Sequence, residues 1–325
     1  MIDFKSAVTA LSITVLAAFV IISGSCSTTV NNTPSTQSGL ITFSSDRDQT
    51  VHVYTIKPDS TDNRTTSSDP QTLDGLPTWS PDGTKIAFTS NQSNDFEVWT
   101  MNEDGSNRIK LTAMTGWDGL PRWSPDGSKI TFAGERHDAG GFTSYEIFIM
   151  NSDGSDVKQL TDSEQWGPHM DEDEPIRWNS CPTFSPDGTK ILFASNRGGD
   201  FVRPILYTMN LDGSDQKKFG LFVDVDGTDP DWSPVTNKIV FCRGTAAKAE
   251  IWVMDGNSPF PLLTARKISD NIDNNSNPVW SPDGKQIAFV SDTYSNDDIF
   301  IMDADGTNIR RVTYDKANDR HPSWR

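Results

Sequence analysis

The residues of this sequence that could do chemistry are concentrated in long segments between short apolar runs. The longest segment, 162–181, holds two Trp, an acidic run and two basic side chains, namely Trp166, His169, Asp171, Glu172, Asp173, Glu174, Arg177 and Trp178. The segment before it adds Trp117 and Asp118. Aromatic rings beside carboxylates favour contact with a protein or a glycan. The alternative is that these Trp rings pack their own segments onto the domain.

Three acids around a glycine form a second candidate site. Asp224, Asp226 and Asp229 flank Gly227, and carboxylates are the hard oxygen ligands that calcium prefers. The downstream Glu of the helix-loop-helix calcium pattern is missing, so an acidic turn is the alternative reading. Calcium is the only cofactor that the sequence suggests. Apart from calcium we expect none.

Catalytic motifs are scarce. The sequence has no Gly-x-Ser-x-Gly segment of the hydrolase type. Of the four histidines, we expect His52 and His137 on the surface, whereas His169 and His321 join the candidate partner-binding residues. We therefore assign no catalytic residue. One enzymatic alternative stays open, a polysaccharide lyase or hydrolase that uses acids of the long segments as acid and base.

The N-terminus has the character of a targeting segment. Lys5 precedes a stretch from 7 to 24 that is almost wholly apolar or small, and Gly24 and Ser25 lead into Cys26. This pattern resembles a bacterial lipoprotein signal over 1–26, which implies lipidation of Cys26, although Ser23 departs from the usual apolar residue. An ordinary cleaved signal or an uncleaved anchor is the alternative. Uncharged residues 27–38 then read as a flexible tether.

The elements that position these residues come from a repeat. An aromatic residue followed by Ser-Pro recurs at 79, 123, 184, 232 and 280, four of the five copies continue with Asp-Gly, and Trp324 is a last, truncated copy. A proline stands two residues before each aromatic, at Pro77, Pro121, Pro182, Pro230, Pro278 and Pro322. Self-similarity at steps of 44 to 61 residues indicates an array of structural repeats.

Each repeat predicts four short antiparallel strands. Ser-Pro-Asp-Gly is a tight turn, because Pro presets φ, Asp binds nearby backbone and Gly takes a left-handed conformation. An Ile-x-Phe strand follows, then a strand that ends in Met, and then a second Asp-Gly turn at Gly105, Gly154, Gly213 and Gly306. A last strand ends near Leu111-Thr112 and its counterparts, including Leu263-Thr264. Four strands with tight hairpins make one propeller blade.

The two ends of the chain complete each other. Residues 39–73 supply strands two to four of a blade, and 321–325 supply a first strand with no sequel. The predicted fold is an all-β, six-bladed propeller over 39–325, closed by pairing of the C-terminal strand with the N-terminal blade. Its blades are 39–73 with 321–325, 76–112, 120–161, 181–219, 229–264 and 277–313. Trp324 is expected to be buried.

The recurring aromatic-Ser-Pro-Asp-Gly unit, the Ile-small-Phe strand and the Met-Asn or Met-Asp turn resemble the TolB-type propeller repeats over nearly all of 39–325. The resemblance implies the fold and a non-catalytic role in protein binding in the cell envelope. Relatives of this repeat also occur as accessory domains of serine peptidases and as scaffolds of pectin-degrading lyases, so fold alone does not choose the function. The α/β domain that precedes the propeller in the TolB family has no counterpart in the sequence given.

The predicted topology gives the ring two unlike faces. The Asp-Gly turns lie on one, here called the turn face, and the longer connections lie on the other, the loop face, where function is expected. Acidic residues outnumber Lys and Arg in the fourth-to-first connections, and the net charge is −17, which excludes nucleic acid and favours a basic segment or a cation. We expect a monomer that binds an envelope protein or glycan. Cys181 and Cys242 fall on different strands, which favours two buried free thiols over a disulfide.

Overall fold

The computed structural model describes residues 39–67, 69–137, 141–166, 176–197, 204–220, 224–245, 248–269 and 273–325. The targeting segment, the tether and Cys26 lie outside these residues, and their assignments stay predictions. Among the described residues no helix combines the length and the apolar character needed to cross a bilayer.

The described chain is almost entirely β. Its strands are β1 (Ile41–Ser45), β2 (His52–Ile56), β3 (Arg64–Thr65), β4 (Asp74–Trp79), β5 (Lys85–Ser90), β6 (Glu97–Asn102), β7 (Ile109–Lys110), β8 (Asp118–Trp123), β9 (Lys129–His137), β10 (Thr143–Asn151), β11 (Lys158–Gln159), β12 (Arg177–Phe184), β13 (Lys190–Ser195), β14 (Ile205–Asn210), β15 (Lys217–Lys218), β16 (Thr228–Trp232), β17 (Lys238–Thr245), β18 (Lys248–Asp255), β19 (Arg266–Lys267), β20 (Asn275–Trp280), β21 (Gln286–Ser291), β22 (Asp298–Asp303), β23 (Arg310–Arg311) and β24 (Asp319–Trp324). A 3₁₀ turn spans Ser163–Trp166, and the helical turn α1 spans Pro261–Thr264.

The strands form antiparallel sets of four. Four sets are separate sheets, and two more are joined into one eight-stranded sheet by a short parallel pairing of β10 with β12, at Ser144 with Arg177 and Tyr145 with Trp178. In the first set the last strand of the chain, β24, pairs antiparallel with β1, as the sequence predicted. The first strand of each set contacts the first strand of the next, in the cyclic order β24, β4, β8, β12, β16, β20 and back to β24.

The Ser-Pro-Asp-Gly turns adopt the predicted chemistry. In the first copy the amide of Gly83 donates to the carbonyl of Ser80 at 2.8 Å, and Gly83 has φ of +68°. The carboxylate of Asp82 accepts from the Ser80 hydroxyl at 2.6 Å and from the Thr84 amide at 3.0 Å. Hydrogen bonds from serine hydroxyls lower the pKa of these turn carboxyls, to about 2 at Asp126. The turn acids are therefore held by their own backbone.

The core lies between neighbouring sets. The Phe in the middle of each second strand is almost fully buried, and these residues are Phe43, Phe88, Phe132, Phe193, Phe241 and Phe289. Trp324 is only 8% exposed and packs in one cluster with Ile41 of β1 and Val279 of β20. The predicted burial of Trp324 is confirmed.

Each first strand contains an irregularity that the sequence reading missed. The residue before the repeated proline has a positive φ between 47° and 55°, and these residues are Leu76, Leu120, Cys181, Asp229, Asn277 and His321. The pairing register with the second strand shifts at the same place in every set. Such a β-bulge bends the strand and re-aims the side chain. The first strands consequently begin two to four residues earlier than most predicted blade boundaries, for example at Asp74 and not at 76.

The fourth strands are shorter than predicted, with two residues each. A buried hydroxyl continues the edge, since Thr112 Oγ1 accepts from the amide of Val98 at 2.9 Å. The predicted strand end at Leu263-Thr264 is wrong, because Pro261 begins the helical turn α1 there and the strand follows at Arg266–Lys267. Proline suits the first turn of a helix but cannot donate to a strand. Leu263 is left 85% exposed.

Candidate functional site

The six bulge residues meet at one narrow cavity. A space of about 30 Å³ is lined by Leu76, Leu120, Cys181, Asp229, Asn277 and His321, together with Arg122 and neighbouring prolines. Because each first strand contributes the same position, the strands' shared geometry collects six different side chains at one place. The Cys181 thiol donates to Asp229 at 3.3 Å. His321 is thus brought together with other polar groups, as a residue facing a channel would be.

The two described cysteines are free thiols, as the sequence predicted. Cys242 is buried, whereas Cys181 is half-buried at the narrow cavity. Burial, with the nearby Asp229 carboxylate, raises the pKa of both thiols above the ordinary range. A thiolate is the reactive form of cysteine, so neither residue is activated as a nucleophile.

A larger cavity lies beside the narrow one on the loop face. It measures about 170 Å³ and is lined by residues of β1, β4, β5 and β24 and by Phe96, Trp117 and Asn318. His321 borders both cavities. Burial lowers the pKa of His321 to about 3, so its imidazole is neutral at pH 7. The structure therefore joins Trp117 and His321, two of the predicted partner-binding residues, in the wall of one cavity.

Trp117 and Asp118 are buried, so of the two alternatives for Trp117 the structure supports packing of its own segment. Trp117 is 6% exposed and its ring meets Tyr145 edge to face at 6.0 Å, so it packs its segment onto the domain. Asp118 is fully buried as the first residue of β8, and the nearest Arg136 nitrogen is 3.6 Å away. Burial raises the pKa of Asp118 to about 7 against the attraction of Arg136. Neither side chain is available for a direct contact between two protein surfaces.

The long segment is only partly described. Arg177 is buried in β12 and donates to the carbonyl of Ser163 at 2.9 Å, and Trp178 packs against two core clusters. These two residues position the sheet and are not exposed contacts. His169, Asp171, Glu172, Asp173 and Glu174 lie outside the described residues, as does the side chain of Trp166, so their role in partner binding stays a prediction.

The three acids proposed for calcium have separate partners. Asp224 pairs with Lys218 at 2.8 Å, Asp226 pairs with Arg243 at 2.7 Å, and Asp229 accepts from Cys181. Within the described ranges no three His, Cys, Asp or Glu side chains are grouped to hold a metal ion. Two of the three carboxylates are thus neutralised by a cation of the protein.

His52 and His137, which the sequence places on the surface, differ in their exposure. His52 is buried in β2, with Nε2 2.7 Å from the hydroxyl of Thr50, so the expectation is wrong for it. His137 is 45% exposed and lies 3.3 Å from Glu135, which fits a surface residue.

An arginine contact that the sequence did not predict recurs in every set, and we call it a brace. An arginine binds a buried or half-buried polar side chain and lies over an aromatic ring, which shields the charge. The six braces are Asp319–Arg47–Tyr54, Asp74–Arg108–Phe88, Asp118–Arg136–Phe148, Asn179–Arg197–Tyr207, Asp226–Arg243–Trp252 and Asp298–Arg311–Tyr294. Aligning the chain on its prolines would have revealed part of the signal, because the polar residues of four braces stand three residues before the proline, namely Asp74, Asp118, Asn179 and Asp319.

The sixth brace is the exposed one. Tyr294 follows β21 and Tyr314 follows β23, both on the loop face, and they are 55% and 64% exposed. The Arg311 guanidinium lies 4.5 Å from the Tyr294 ring centroid and 5.1 Å from that of Tyr314. Its other contact is the fully buried Asp298 at 2.7 Å. Two tyrosines are therefore held by a fixed cation and face solvent, an arrangement suited to a partner surface.

Repeated antiparallel four-stranded sets around a common cavity, with turns at one end and loops at the other, define a propeller-type repeat protein. The family model of the TolB beta propeller domain matches residues 19–176 and 223–325. This chain belongs to that family.

Two relatives show how far the similarity extends. The chain is 35% identical over 99 residues to the Tol-Pal system protein TolB of Alcanivorax borkumensis, which covers 30% of this chain and 19% of that protein. It is 30% identical over 175 residues to an uncharacterized protein of Agrobacterium fabrum, covering 51% of this chain and 53% of the relative. The chain thus matches about half or less of the length of these relatives.

Solved structures agree on the fold. TolB from Acinetobacter baumannii superposes with a TM-score of 0.69 at 22% identity, over 90% of this chain and 67% of that one. Hydrazine synthase of Kuenenia stuttgartiensis gives 0.68 at 16% identity, over 88% of this chain and 46% of that one. At these identities the likeness concerns the fold alone, and proteins of very different function share it.

Proposed function

We propose that this chain is an exported, lipid-anchored six-bladed propeller that binds an envelope protein through its loop face. The observation that carries the proposal is the exposed stack of Tyr294, Arg311 and Tyr314. Tyrosine and arginine are enriched at the energetic centres of interfaces. Because the buried Asp298 already fixes Arg311, the tyrosines lose little freedom on binding.

The cyclic contacts of the first strands support the six-bladed ring. Each first strand touches its two neighbours, and β24, which pairs with β1, also contacts β4 and β20. Closure in this way leaves no exposed first-strand edge that could pair with another chain. A rigid ring is a suitable platform for a binding face, and we expect it to work as a monomer.

The contrast between the two faces supports the loop face as the binding surface. Acids of the turn face are used by their own turns, as Asp104 accepts from the hydroxyl of Ser106 at 2.6 Å. The loop face carries the exposed tyrosines and an excess of acids, so a basic segment of a partner protein fits it better than a neutral glycan. Exposed charges are screened over about 8–10 Å at physiological salt, so association should slow as salt rises.

Export and anchoring rest on the N-terminal pattern and on the family. The relative from Alcanivorax borkumensis is named as a protein of the Tol-Pal system, which gives an envelope role as the nearest functional hypothesis. Lipidation at Cys26 followed by the tether 27–38 would place the propeller beside a membrane. Nothing in the described part of the chain favours the polysaccharide-degrading alternative.

Site-specific photo-crosslinking in intact cells tests the proposal. A photoreactive phenylalanine analogue is placed on the loop face at Ile176 or Tyr314, and on the turn face at Val157 or Ile309, all of which are exposed. We expect one discrete protein adduct from the loop-face positions and none from the matched turn-face positions. Adducts confined to Val157 and Ile309 would contradict the proposal, and a protease-resistant glycan adduct would replace the protein partner.

A further inference from the structure

The cavity of about 170 Å³ on the loop face has properties that protein binding does not explain. Its wall is mostly apolar, with contributions from Val51, Leu73, Leu76, Phe96 and Trp117. A dry apolar cavity of roughly 150 Å³ is large enough to hold benzene. The space therefore admits one ring-sized apolar group.

Four buried polar atoms of the same wall have no hydrogen-bond partner in the described part of the chain. They are Thr89 Oγ1, Trp117 Nε1, Arg320 Nη2 and His321 Nδ1. Buried polar groups are nearly always satisfied, so four such atoms around one cavity point to an occupant. Indole and guanidinium nitrogens can only donate, and a hydroxyl can donate as well. An occupant that satisfies these atoms must therefore offer a hydrogen-bond acceptor.

Thr89 and Trp117 approach the same point of the wall. A Cβ on Gly119 would stand 2.8 Å from Thr89 Oγ1 and 2.4 Å from the Trp117 ring, so both groups rest on the bare backbone of that glycine. Only a residue without a side chain allows this approach. Thr89, near the end of β5, and Trp117, directly before β8, therefore form a donor pair of fixed position.

The wall offers these donors without net positive charge. Arg320 is paired through Nε with Asp297, and Asp74 holds Arg108 at 2.9 Å. Asp46 accepts from both the amide and the side chain of Asn318 at 2.8 Å. His321 is neutral at pH 7. With each of these two pairs counted as neutral, the Asp46 carboxylate is left without a cationic partner among the described residues, so it disfavours an anion in this cavity but not an uncharged acceptor.

We propose that this cavity binds a small uncharged carbonyl compound whose body is an aromatic ring or a similarly compact apolar group. The ring occupies the apolar wall, and the carbonyl oxygen accepts hydrogen bonds from Trp117 Nε1 and Thr89 Oγ1. Arg320 and His321 border the same space. The site is independent of the protein partner proposed above, since it uses none of the exposed tyrosines.

Ligand-observed fluorine NMR on the intact protein tests this site, with 4-fluoroacetophenone as the probe. A ligand of this size is expected to bind with Kd on the order of 1 mM. The matched anion 4-fluorobenzoate has the same ring and should bind at least ten-fold more weakly. Absence of 4-fluoroacetophenone binding at 10-fold this concentration, about 10 mM, or equal binding of both probes, would overturn the proposal.

Two conservative variants assign the binding to the cavity. Thr89→Val removes one donor at nearly constant shape, and Trp117→Phe removes the other and leaves a smaller ring, so each should weaken 4-fluoroacetophenone binding roughly three- to ten-fold. Trp123→Phe is the matched control, because Trp123 is at the other end of β8 and its indole nitrogen also has no hydrogen-bond partner among the described residues. Trp123 also occupies a repeat position where Phe184 stands in another copy. Unchanged affinity in both cavity variants, with melting temperatures equal to that of the control, would place the probe elsewhere and sink the assignment.

Discussion

At the residue scale, Asp118 couples a buried charge to pH. Burial raises its pKa to about 7, so the folded chain keeps a proton that the unfolded chain releases from about pH 4 upward. The contribution of this carboxyl to the free energy of unfolding is therefore fully present below about pH 4, falls as pH rises from about 4 to 7 and is gone above about pH 7. Asp118→Asn should remove this dependence, by on the order of 2–4 kcal/mol between pH 5 and pH 8. Urea unfolding at the two pH values measures it.

Asparagine is a fair replacement because Asn179 and Asn275 occupy the same repeat position in other sets. Asp82→Asn serves as the control, since the pKa of that turn carboxyl is lowered, not raised, by the hydrogen bond from Ser80. Its effect should lie below pH 4. If the stability of Asp118→Asn varies with pH in the same way as that of the wild type, burial does not raise the pKa of this carboxyl in the folded protein.

The exposed tyrosines should decide how long a partner stays bound. Tyr294→Ala or Tyr314→Ala should each speed dissociation of the captured partner, roughly ten- to thirty-fold for an interface hot spot. Exposed Val235, at 60% on the turn face, provides the control as Val235→Ala, with no expected change. Surface plasmon resonance gives the rates. If all three variants dissociate from the partner at the same rate, Tyr294 and Tyr314 are not part of the interface.

Sequence reading found the correct segments but misjudged the side chains within them. The sequence places Trp117 and Asp118 in a connection, and connections are usually exposed. Their burial depends on Tyr145 and Arg136, which are close only after β8, β9 and β10 pair. The positive φ of six pre-proline residues is likewise invisible locally, because proline normally favours extended backbone before it.

At the element scale, the second Asp-Gly turn also joins neighbouring sets. A Cβ on Gly105 would lie 1.9 Å from the carbonyl oxygen of Thr66 in the preceding set, and Gly105 has φ of +83°. Gly105→Ala should therefore cost about 3 kcal/mol or more, from backbone strain and overpacking together. Thermal and urea unfolding measure the loss.

Gly141 provides the matched control for that turn. It has a similar φ of +82°, but no atom of the described residues lies within 4 Å of an added Cβ. Gly141→Ala should cost only the backbone strain, about 1–2 kcal/mol. Equal losses for the two variants would mean that the close approach between the sets does not constrain the turn.

The C-terminal strand should carry a disproportionate share of stability. Trp324 fills the space between β1 and β20, so Trp324→Ala should cost about 3–5 kcal/mol, and removal of 321–325 should cost at least as much. Leu263→Ala is the control, because Leu263 is 85% exposed and should change little. A truncated protein that unfolds at the same urea concentration as the intact one would contradict the role of β24.

Elements with local turn chemistry were the most predictable. Asp-Gly turns form from contacts within a few residues, as at Asp82, and so the hairpins follow from the sequence. The fourth strands were less predictable because they are only two residues long, and a buried hydroxyl such as that of Thr112 replaces further strand pairing. In the fifth set the sequence Pro-Phe-Pro moved the strand beyond Leu263.

At the scale of the whole molecule, Cys26 should decide where the protein resides. Cys26→Ser should release the chain from the membrane fraction or block its processing, because the proposed lipid would be attached to this thiol. Intact-mass measurement of the mature N-terminus and cell fractionation check this. Cys242→Ser, at a buried thiol far along the chain, is the control and should leave the distribution unchanged. A wild-type mature chain that begins after Cys26 and carries no acyl group would contradict the anchor.

Hydrogen exchange of the propeller with and without its captured envelope partner tests binding through the loop face most directly. We expect slower exchange on binding at 292–297 and 314–318, the loop-face segments around Tyr294 and Tyr314. The turns at 82–84, 126–128 and 187–189 should exchange at the same rate in both states. Protection at those turns, with the two loop-face segments unchanged, would contradict the claim that this propeller binds its partner through the loop face.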